Sequence, residues 1–154
     1  MTLALIHTRA LDGLQAPAVV VEVHVANGLP AFSLVGLADA EVREARDRVR
    51  AALLSSGFEF PARRITVNLA PADLPKDSGR FDLPIALGLL AASGQLPAQN
   101  LNDYEFAGEL SLTGSLRPVR GALALALASQ QAGHTLILPE ASGNEAALAE
   151  GASV

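Results

Sequence analysis

The residues with the clearest potential for chemistry lie in one short polar segment. Lys76 and Ser78 stand two positions apart between Pro75 and Gly79. A lysine amine beside a serine hydroxyl can act as base and nucleophile in peptide hydrolysis, provided that the amine is desolvated enough to lose its proton. Because Asp77 separates the two residues in a polar loop, we expect a charged, solvated Lys76. A serine peptidase built on Lys76 and Ser78 remains an alternative hypothesis.

The sequence lacks the residues that other catalytic mechanisms require. The chain has no cysteine, which excludes disulfides, thiolate metal sites and cysteine nucleophiles. The histidines, His7, His24 and His134, have no second histidine at i+4 and no carboxylate at metal-ligand spacing, so we expect satisfied strand or loop residues. A phosphate-binding P-loop needs Gly-Lys-Ser/Thr, but the single lysine, Lys76, precedes Asp77. We expect neither a metal nor a cofactor in this domain.

The basic residues are almost all arginine, and they form two groups. The 154 residues include 11 basic and 16 acidic side chains, a formal charge of −5 that disfavours a dedicated nucleic-acid-binding domain. Contact with DNA or with a protein partner must therefore use a local patch. The candidate binding residues are Arg43, Arg46 and Arg50 in the first group, and Arg63, Arg64, Lys76 and Arg80 in the second.

Acidic neighbours give both groups a structural interpretation as well. The pairs Asp39/Arg43, Arg43/Asp47 and Glu44/Arg48 have i,i+4 spacing, which is typical of a solvated, salt-bridged helix face. In the loop, Asp73, Asp77 and Asp82 can pair with nearby arginines, and Asp82 is placed to cap the helix that follows. These roles compete with ligand binding.

The elements that must position these residues follow from hydrophobic periodicity. Leu3–Thr8, Val19–Val25 and Phe32–Val35 predict a three-stranded antiparallel unit. A long helix is predicted from Asp39 to a C-terminal glycine at Gly57, followed by a strand over Ile65–Leu69. Later elements are a helix from Asp82 to about Ser93, a β-hairpin within Phe106–Leu116, a helix over Ala122–Ala132, a strand over Thr135–Leu138 and a short helix from Glu145.

This order of elements predicts a single α+β domain over residues 1–154, with a mixed β-sheet and packed helices. The N-terminal residues lack the basic, apolar and small-residue order of a signal peptide, and no apolar run reaches the ~20 residues of a membrane span. We therefore expect a cytoplasmic protein with no membrane partner.

The polar loop and its flanks resemble a known family. The segments at residues 65–72 (ITVNLAPA) and 73–86 (DLPKDSGRFDLPIA), with Val35-Gly36-Leu37 and the arginine-rich residues 43–50, are similar to the N-terminal domain of the ComM/YifB family of Mg-chelatase-like AAA+ ATPases. The resemblance spans essentially the whole chain. It implies an ATPase module, with its ATP and Mg²⁺, C-terminal to this chain, and a cytoplasmic hexameric motor acting on single-stranded or branched DNA as a helicase or branch-migration enzyme in natural transformation.

That N-terminal domain is in turn similar to the proteolytic domain of Lon and to the C-terminal domain of the recombination protein RadA. The resemblance implies a ribosomal-protein second-domain-like fold with a left-handed β-α-β unit. Aligning Pro75-Lys76-Asp77 with the Lon motif places Arg80 at the nucleophile position and Leu123 at the position of the lysine base. The resemblance therefore implies a domain without catalytic residues, kept for assembly or substrate binding; a pure protein–protein docking domain is the other alternative.

We predict that ATP with Mg²⁺ does not stabilise this chain, because its sequence has no phosphate-binding glycine loop. A ligand at 100 times its Kd would add about 2.7 kcal/mol to the free energy of unfolding. Thermal unfolding with and without millimolar MgATP measures the effect. A rise of several degrees in Tm would reveal a nucleotide site that the sequence motifs do not indicate.

Overall fold

The computed structural model describes residues 2–74, 76, 79–99 and 101–154. Within these ranges, a six-stranded mixed sheet, a two-stranded hairpin and four helices confirm the predicted α+β class. The strands are β1 (Thr2–Arg9), β2 (Ala18–Ala26), β3 (Ala31–Val35), β4 (Arg64–Ala70), β5 (Tyr104–Phe106), β6 (Glu109–Leu110), β7 (Leu116–Arg117) and β8 (Thr135–Ile137). The helices are α1 (Asp39–Ser55), α2 (Asp82–Ala92), α3 (Ala122–Gln131) and α4 (Gly143–Ala146).

The main sheet has the strand order β3-β4-β2-β1-β5-β8. Strand β2 is antiparallel to both β1 and β4, whereas the pairs β3/β4, β1/β5 and β5/β8 are parallel. The predicted antiparallel unit of β1, β2 and β3 is therefore wrong in its third strand. Strand β4 takes the position beside β2 because its whole length, from Arg64 to Ala70, pairs with β2, and Ile65, Val67 and Leu69 enter the core there.

The predicted C-terminal glycine of α1 and the predicted hairpin turn are confirmed, although Phe106, predicted to lie in the hairpin, belongs to β5 of the main sheet. Helix α1 ends as a Schellman motif: Gly57 has φ +85°, its N–H donates to the Leu54 carbonyl, and the Phe58 N–H donates to the Leu53 carbonyl at 2.9 Å. The hairpin of β6 and β7 turns at Gly114, which has φ +92°. The structure thereby confirms Gly57 as the glycine that ends α1 and Gly114 as part of the hairpin turn.

The main hydrophobic core lies between one face of the sheet and helices α1 and α2. Strand β2 contributes every second residue, with Val19, Val21, Val23 and Val25 all buried. A second cluster joins α3 and α4 to Leu136 of β8. Among the described residues, no helix has the length and apolar character needed to cross a membrane.

Helix α2 approaches the sheet so closely that one position requires glycine. A Cβ added at Gly88 would lie 2.5 Å from the Cγ2 atom of Val23. That distance is far shorter than a van der Waals contact, and the neighbouring atom belongs to a stiff β-branched side chain in the core.

We predict that Gly88→Ala destabilises the fold by about 1–3 kcal/mol, because the steric overlap with Val23 outweighs the better helix propensity of alanine. Gly143→Ala is the matched control, since its added methyl group meets nothing within 4 Å and its φ is −65°. Urea unfolding followed by circular dichroism measures both. Equal stability of the two variants would contradict the close approach.

Two candidate binding clefts and the ion pair between them

The first cleft lies where the Lon resemblance places a protease active site. It has a volume of about 310 Å³ and lies between the residues that precede α2, the β6–β7 hairpin and the segment before α3. Its described lining consists of Leu11, Gly13, Gly79, Arg80, Glu109, Pro118, Val119 and Arg120.

Arg80, at the position of the Lon nucleophile, belongs to a short 3₁₀ turn over Gly79–Phe81 and is only 5% exposed. Its Nη2 atom donates to the Arg120 carbonyl at 2.9 Å, and its own carbonyl accepts the Gly108 N–H at 3.0 Å. A Cβ at Gly79 would lie 2.3 Å from the Glu109 Oε1 atom, so a larger residue there would displace the Glu109 side chain. Arg80 is thus a fixed part of the cleft wall.

Leu123, at the position of the Lon base, lies in the first turn of α3. Its backbone N–H donates to the Glu145 Oε2 atom at 2.8 Å, and its side chain packs against the second hydrophobic cluster. A leucine side chain has no group that can accept a proton. The sequence alignment with the Lon motif therefore assigns a buried arginine and a leucine to the positions of the nucleophile and the base.

Lys76 is buried rather than solvated, which corrects the expectation from the polar loop. It is 8% exposed, and its Nζ atom donates to the Leu74 carbonyl at 3.2 Å. The carbonyl replaces part of the water that the ammonium group gives up on burial. The proposed partner Ser78, together with Pro75 and Asp77, lies outside the described residues.

An ion pair between α1 and α2 was not expected from the sequence. Arg48 donates from Nε to the Asp82 Oδ2 atom at 2.6 Å and from Nη2 to Oδ1 at 3.2 Å. The Asp82 Oδ2 atom also accepts the N–H of Leu110 in β6 at 3.1 Å. The predicted N-cap role of Asp82 is therefore wrong: Phe81 occupies the N-cap position, and the carboxylate turns toward α1 and the hairpin instead.

Burial sets the protonation behaviour of this pair. Asp82 is 1% exposed, and loss of water raises its pKa to about 6, although the hydrogen bond and charge of Arg48 oppose the rise. The pKa of Arg48 is raised above its ordinary value, chiefly by the hydrogen bond to Asp82. Arg48 also lies 3.7 Å from Glu44, which is one of the predicted i,i+4 pairs.

The second cleft brings together arginines that are distant in sequence. Arg46 and Arg50 of α1 and Arg63, just before β4, line a cleft of about 470 Å³ together with Phe32 and Phe60. The two phenylalanine rings have centroids 6.2 Å apart. Asp47 also lines the cleft and accepts a hydrogen bond from the Arg46 Nε atom at 3.3 Å.

The structure thus regroups the predicted binding residues. Arg46 and Arg50, from the first sequence group, meet Arg63 from the second, whereas Arg80 and Lys76 are buried elsewhere. The two remaining predicted residues, Arg43 and Arg64, are exposed and lie outside the lining of this cleft.

Sequence inspection missed a buried charge cluster on β5. Glu105 accepts hydrogen bonds from the Arg9 Nε atom at 2.7 Å and pairs with the His134 Nδ1 atom at 2.8 Å, and the His134 ring stacks on His7. Burial alone would raise the pKa of Glu105, but the hydrogen bonds and charges of Arg9 and His134 lower it. Arg9 also donates to the Ala16 carbonyl, so the cluster ties β1, β5 and the β1–β2 connection together.

No sequence signal joins Arg9 to Glu105, because the pair is 96 residues apart. The outcome agrees with the expectation that His134 is a hydrogen-bonded structural residue. In the described part of the chain, no group of three or more histidines and carboxylates is arranged to hold a metal ion.

Comparison with known proteins defines the class of domain that has this fold and these clefts. The family model described as subunit ChlI of Mg-chelatase matches residues 21–142. The chain belongs to this Mg-chelatase ChlI family.

Its relatives include the competence protein ComM of Haemophilus influenzae, which is 56% identical over 148 residues. The proteins YifB of Salmonella typhimurium and of Escherichia coli are 55% identical over 148 residues and 52% identical over 151 residues. These matches cover 96–98% of this chain but only 29–30% of each relative. The chain therefore spans less than a third of the length of these relatives.

We predict that Asp82→Asn changes the pH dependence of stability between about pH 4 and pH 6. The pKa of Asp82 is about 6 in the folded chain, against an ordinary value of 3.8, so the folded state holds more protons in this range. The wild-type free energy of unfolding therefore receives a contribution that falls as the pH rises toward 6 and then stays constant.

Asparagine does not titrate, so this contribution disappears in the variant even if the variant is less stable at every pH. Urea unfolding at about pH 4.5, 5.5 and 6.5 measures the difference in slope. Parallel pH profiles for the wild type and Asp82→Asn would contradict the raised pKa. The lowered pKa of Glu105 acts in both proteins and cancels in this comparison.

Proposed function

We propose that this chain is the non-catalytic N-terminal domain of a Mg-chelatase-like AAA+ ATPase that acts on DNA. The parent protein is a cytoplasmic hexamer whose ATP and Mg²⁺ bind in a module outside this chain. The domain itself serves assembly or substrate binding, and single-stranded or branched DNA is the substrate class.

The observation that supports the non-catalytic role is that Arg80 and Leu123 occupy the positions that align with the nucleophile and the base of Lon. A guanidinium stays protonated at any physiological pH and has no lone pair for nucleophilic attack. Arg80 is moreover held against the Arg120 carbonyl, and Leu123 can neither accept nor donate a side-chain proton. The two positions that the resemblance assigns to the nucleophile and the base therefore hold side chains that cannot perform acyl transfer.

The support for DNA comes from the family. One relative is named a competence protein, and the ComM resemblance implies a motor that processes transforming DNA. Since this chain spans under a third of that relative, the motor activity is assigned to the parent protein and not to this domain.

A protein-docking role is the second candidate, and one surface favours it. Leu3 and Leu5 of β1 and Val35 of β3 are 60%, 45% and 55% exposed. They alternate with buried residues along their strands, so they lie on the sheet face opposite α1 and α2. Glu22 of β2 and Asn68 of β4 lie between Leu5 and Val35 on this face, so Leu3 and Leu5 form its apolar part. Neighbouring exposed apolar side chains of this kind support a protein contact.

We predict that the purified chain neither cleaves casein or fluorogenic peptides nor reacts with hydroxyl-directed covalent probes. The physical reason is the absence of a nucleophile and base at the positions of Arg80 and Leu123. Intact-mass spectrometry after probe treatment and a peptide-cleavage assay measure the two reactions.

Lys76→Ala and Ser78→Ala are the control variants. Cleavage by the wild type that both substitutions abolish would overturn the non-catalytic assignment and establish the Lys76/Ser78 peptidase. Cleavage that survives both substitutions would point to a contaminating protease.

A further inference from the structure

We infer that the second cleft, lined by Arg46, Arg50 and Arg63 with Phe32 and Phe60, binds a segment of single-stranded DNA. The arginines contact consecutive phosphates, and the aromatic rings offer a stacking surface for an unpaired base. This inference rests on the proposed DNA association and gives it a location.

The charge of the cleft is the first support. Across the described ranges, no carboxylate oxygen lies within 4.0 Å of the guanidinium nitrogens of Arg50 or Arg63. Arg46 pairs with Asp47, but both side chains are well exposed, and such pairs are weak and easily exchanged. Three arginines and one aspartate give 3 − 1 = +2 at this cleft, on a chain whose total charge is −5.

The second support is the position of the three arginines on either side of the cleft. Arg46 and Arg50 are four residues apart on α1, so their Cα atoms are separated by about 6 Å along one helix face. Ala45 and Val49, each one residue before an arginine and so about 100° around the helix, hold the adjacent face in the core. Arg63 approaches from the other side of the cleft, where its carbonyl accepts the Ala31 N–H at 3.2 Å. A phosphodiester between them would meet planar guanidinium groups suited to bidentate contacts.

The aromatic rings distinguish single-stranded DNA from other polyanions. Phe32 and Phe60 pack against the main core but are only partly buried, so each ring leaves part of its surface in the cleft that the arginines line. Stacking on an aromatic ring requires a base freed from its duplex partner, and it tolerates any sequence. An acidic protein segment would use the arginines but gain nothing specific from the rings.

The first cleft is a weaker site for the same ligand. Its Arg80 guanidinium is buried and engaged with a backbone carbonyl, and Glu109 adds a negative charge to the lining. A phosphate would have to approach that carboxylate to reach the arginine.

The test is fluorescence anisotropy of a labelled oligo(dT) with the purified chain at several low salt concentrations. Arg50→Gln/Arg63→Gln is the test variant, and Arg43→Gln/Arg64→Gln is the control. Each double variant removes two positive charges from exposed residues on or beside α1 and β4. The long-range electrostatic attraction between the chain and DNA therefore changes equally in the two variants. Circular dichroism and Tm establish that all variants fold.

We expect the test variant to bind about tenfold or more weakly than the wild type, and the control to bind within about twofold of it. The slope of log K against log salt should become shallower, from about −2 for the wild type with three phosphate contacts to about −0.7 for the test variant with one. Phe60→Leu should weaken oligo(dT) binding without changing this slope, because stacking releases no counterions.

Three results would overturn the inference in different ways. Wild-type binding that Arg50→Gln/Arg63→Gln leaves intact would remove the site while leaving the proposed DNA association in place. Absence of binding even at low salt would remove DNA contact from this domain altogether and favour the docking role. Equal competition by poly-glutamate, together with an unaltered Phe60→Leu variant, would identify an acidic protein partner instead.

Discussion

The ion pair between Arg48 and Asp82 joins the elements that carry the two candidate clefts of this domain. Arg48 lies on the helix that presents Arg46 and Arg50, and Asp82 begins the helix that directly follows Arg80. Through the Leu110 N–H, the same carboxylate also fixes the hairpin that contributes Glu109 to the first cleft. Because a buried carboxylate is costly without partners, the fold holds these three elements in one arrangement. The two clefts are therefore linked by this polar contact, in addition to the packing of α1 and α2 against the sheet.

The first cleft is held together by contacts around the turn that precedes α2. The Gly108 carbonyl and N–H bond to Leu83 and Arg80, and Gly79 leaves room for the Glu109 carboxylate. These contacts maintain the turn before α2, which is where the Lon frame requires a nucleophile. In the proposed function the cleft is a structural remnant, and ligand contact moves to the arginines on the outer side of α1. The acidic total charge then favours a local, salt-dependent interaction over general attraction of nucleic acid.

Local sequence signals predicted most of the helices and strands. The strand order and the ion pairs depend instead on contacts between residues that are distant in sequence. The C-terminal end of α1 and the β6–β7 turn were predictable because glycines with positive φ stand at Gly57 and Gly114. The position of β3 in the sheet was not predictable from local signals. Strand β4, rather than β3, pairs with β2, and the β2/β4 pairing joins residues that are some 40 positions apart in sequence. The meeting of Arg63 with Arg46 and Arg50 follows from that same parallel β3/β4 pairing. The role of Asp82 was missed because its partner Arg48 also had a plausible local partner, Glu44.

The proposed DNA contact lies at the Arg46–Arg50–Arg63 cleft and not at the first cleft. Backbone NMR of the ¹⁵N-labelled chain titrated with unlabelled oligo(dT) at low salt distinguishes the two clefts. We expect the largest chemical-shift changes at Arg46, Arg50, Phe60 and Arg63, and no changes at Gly79, Arg80 and Arg120. Shift changes centred on Arg80 and Arg120, with the α1 arginines unaffected, would contradict it.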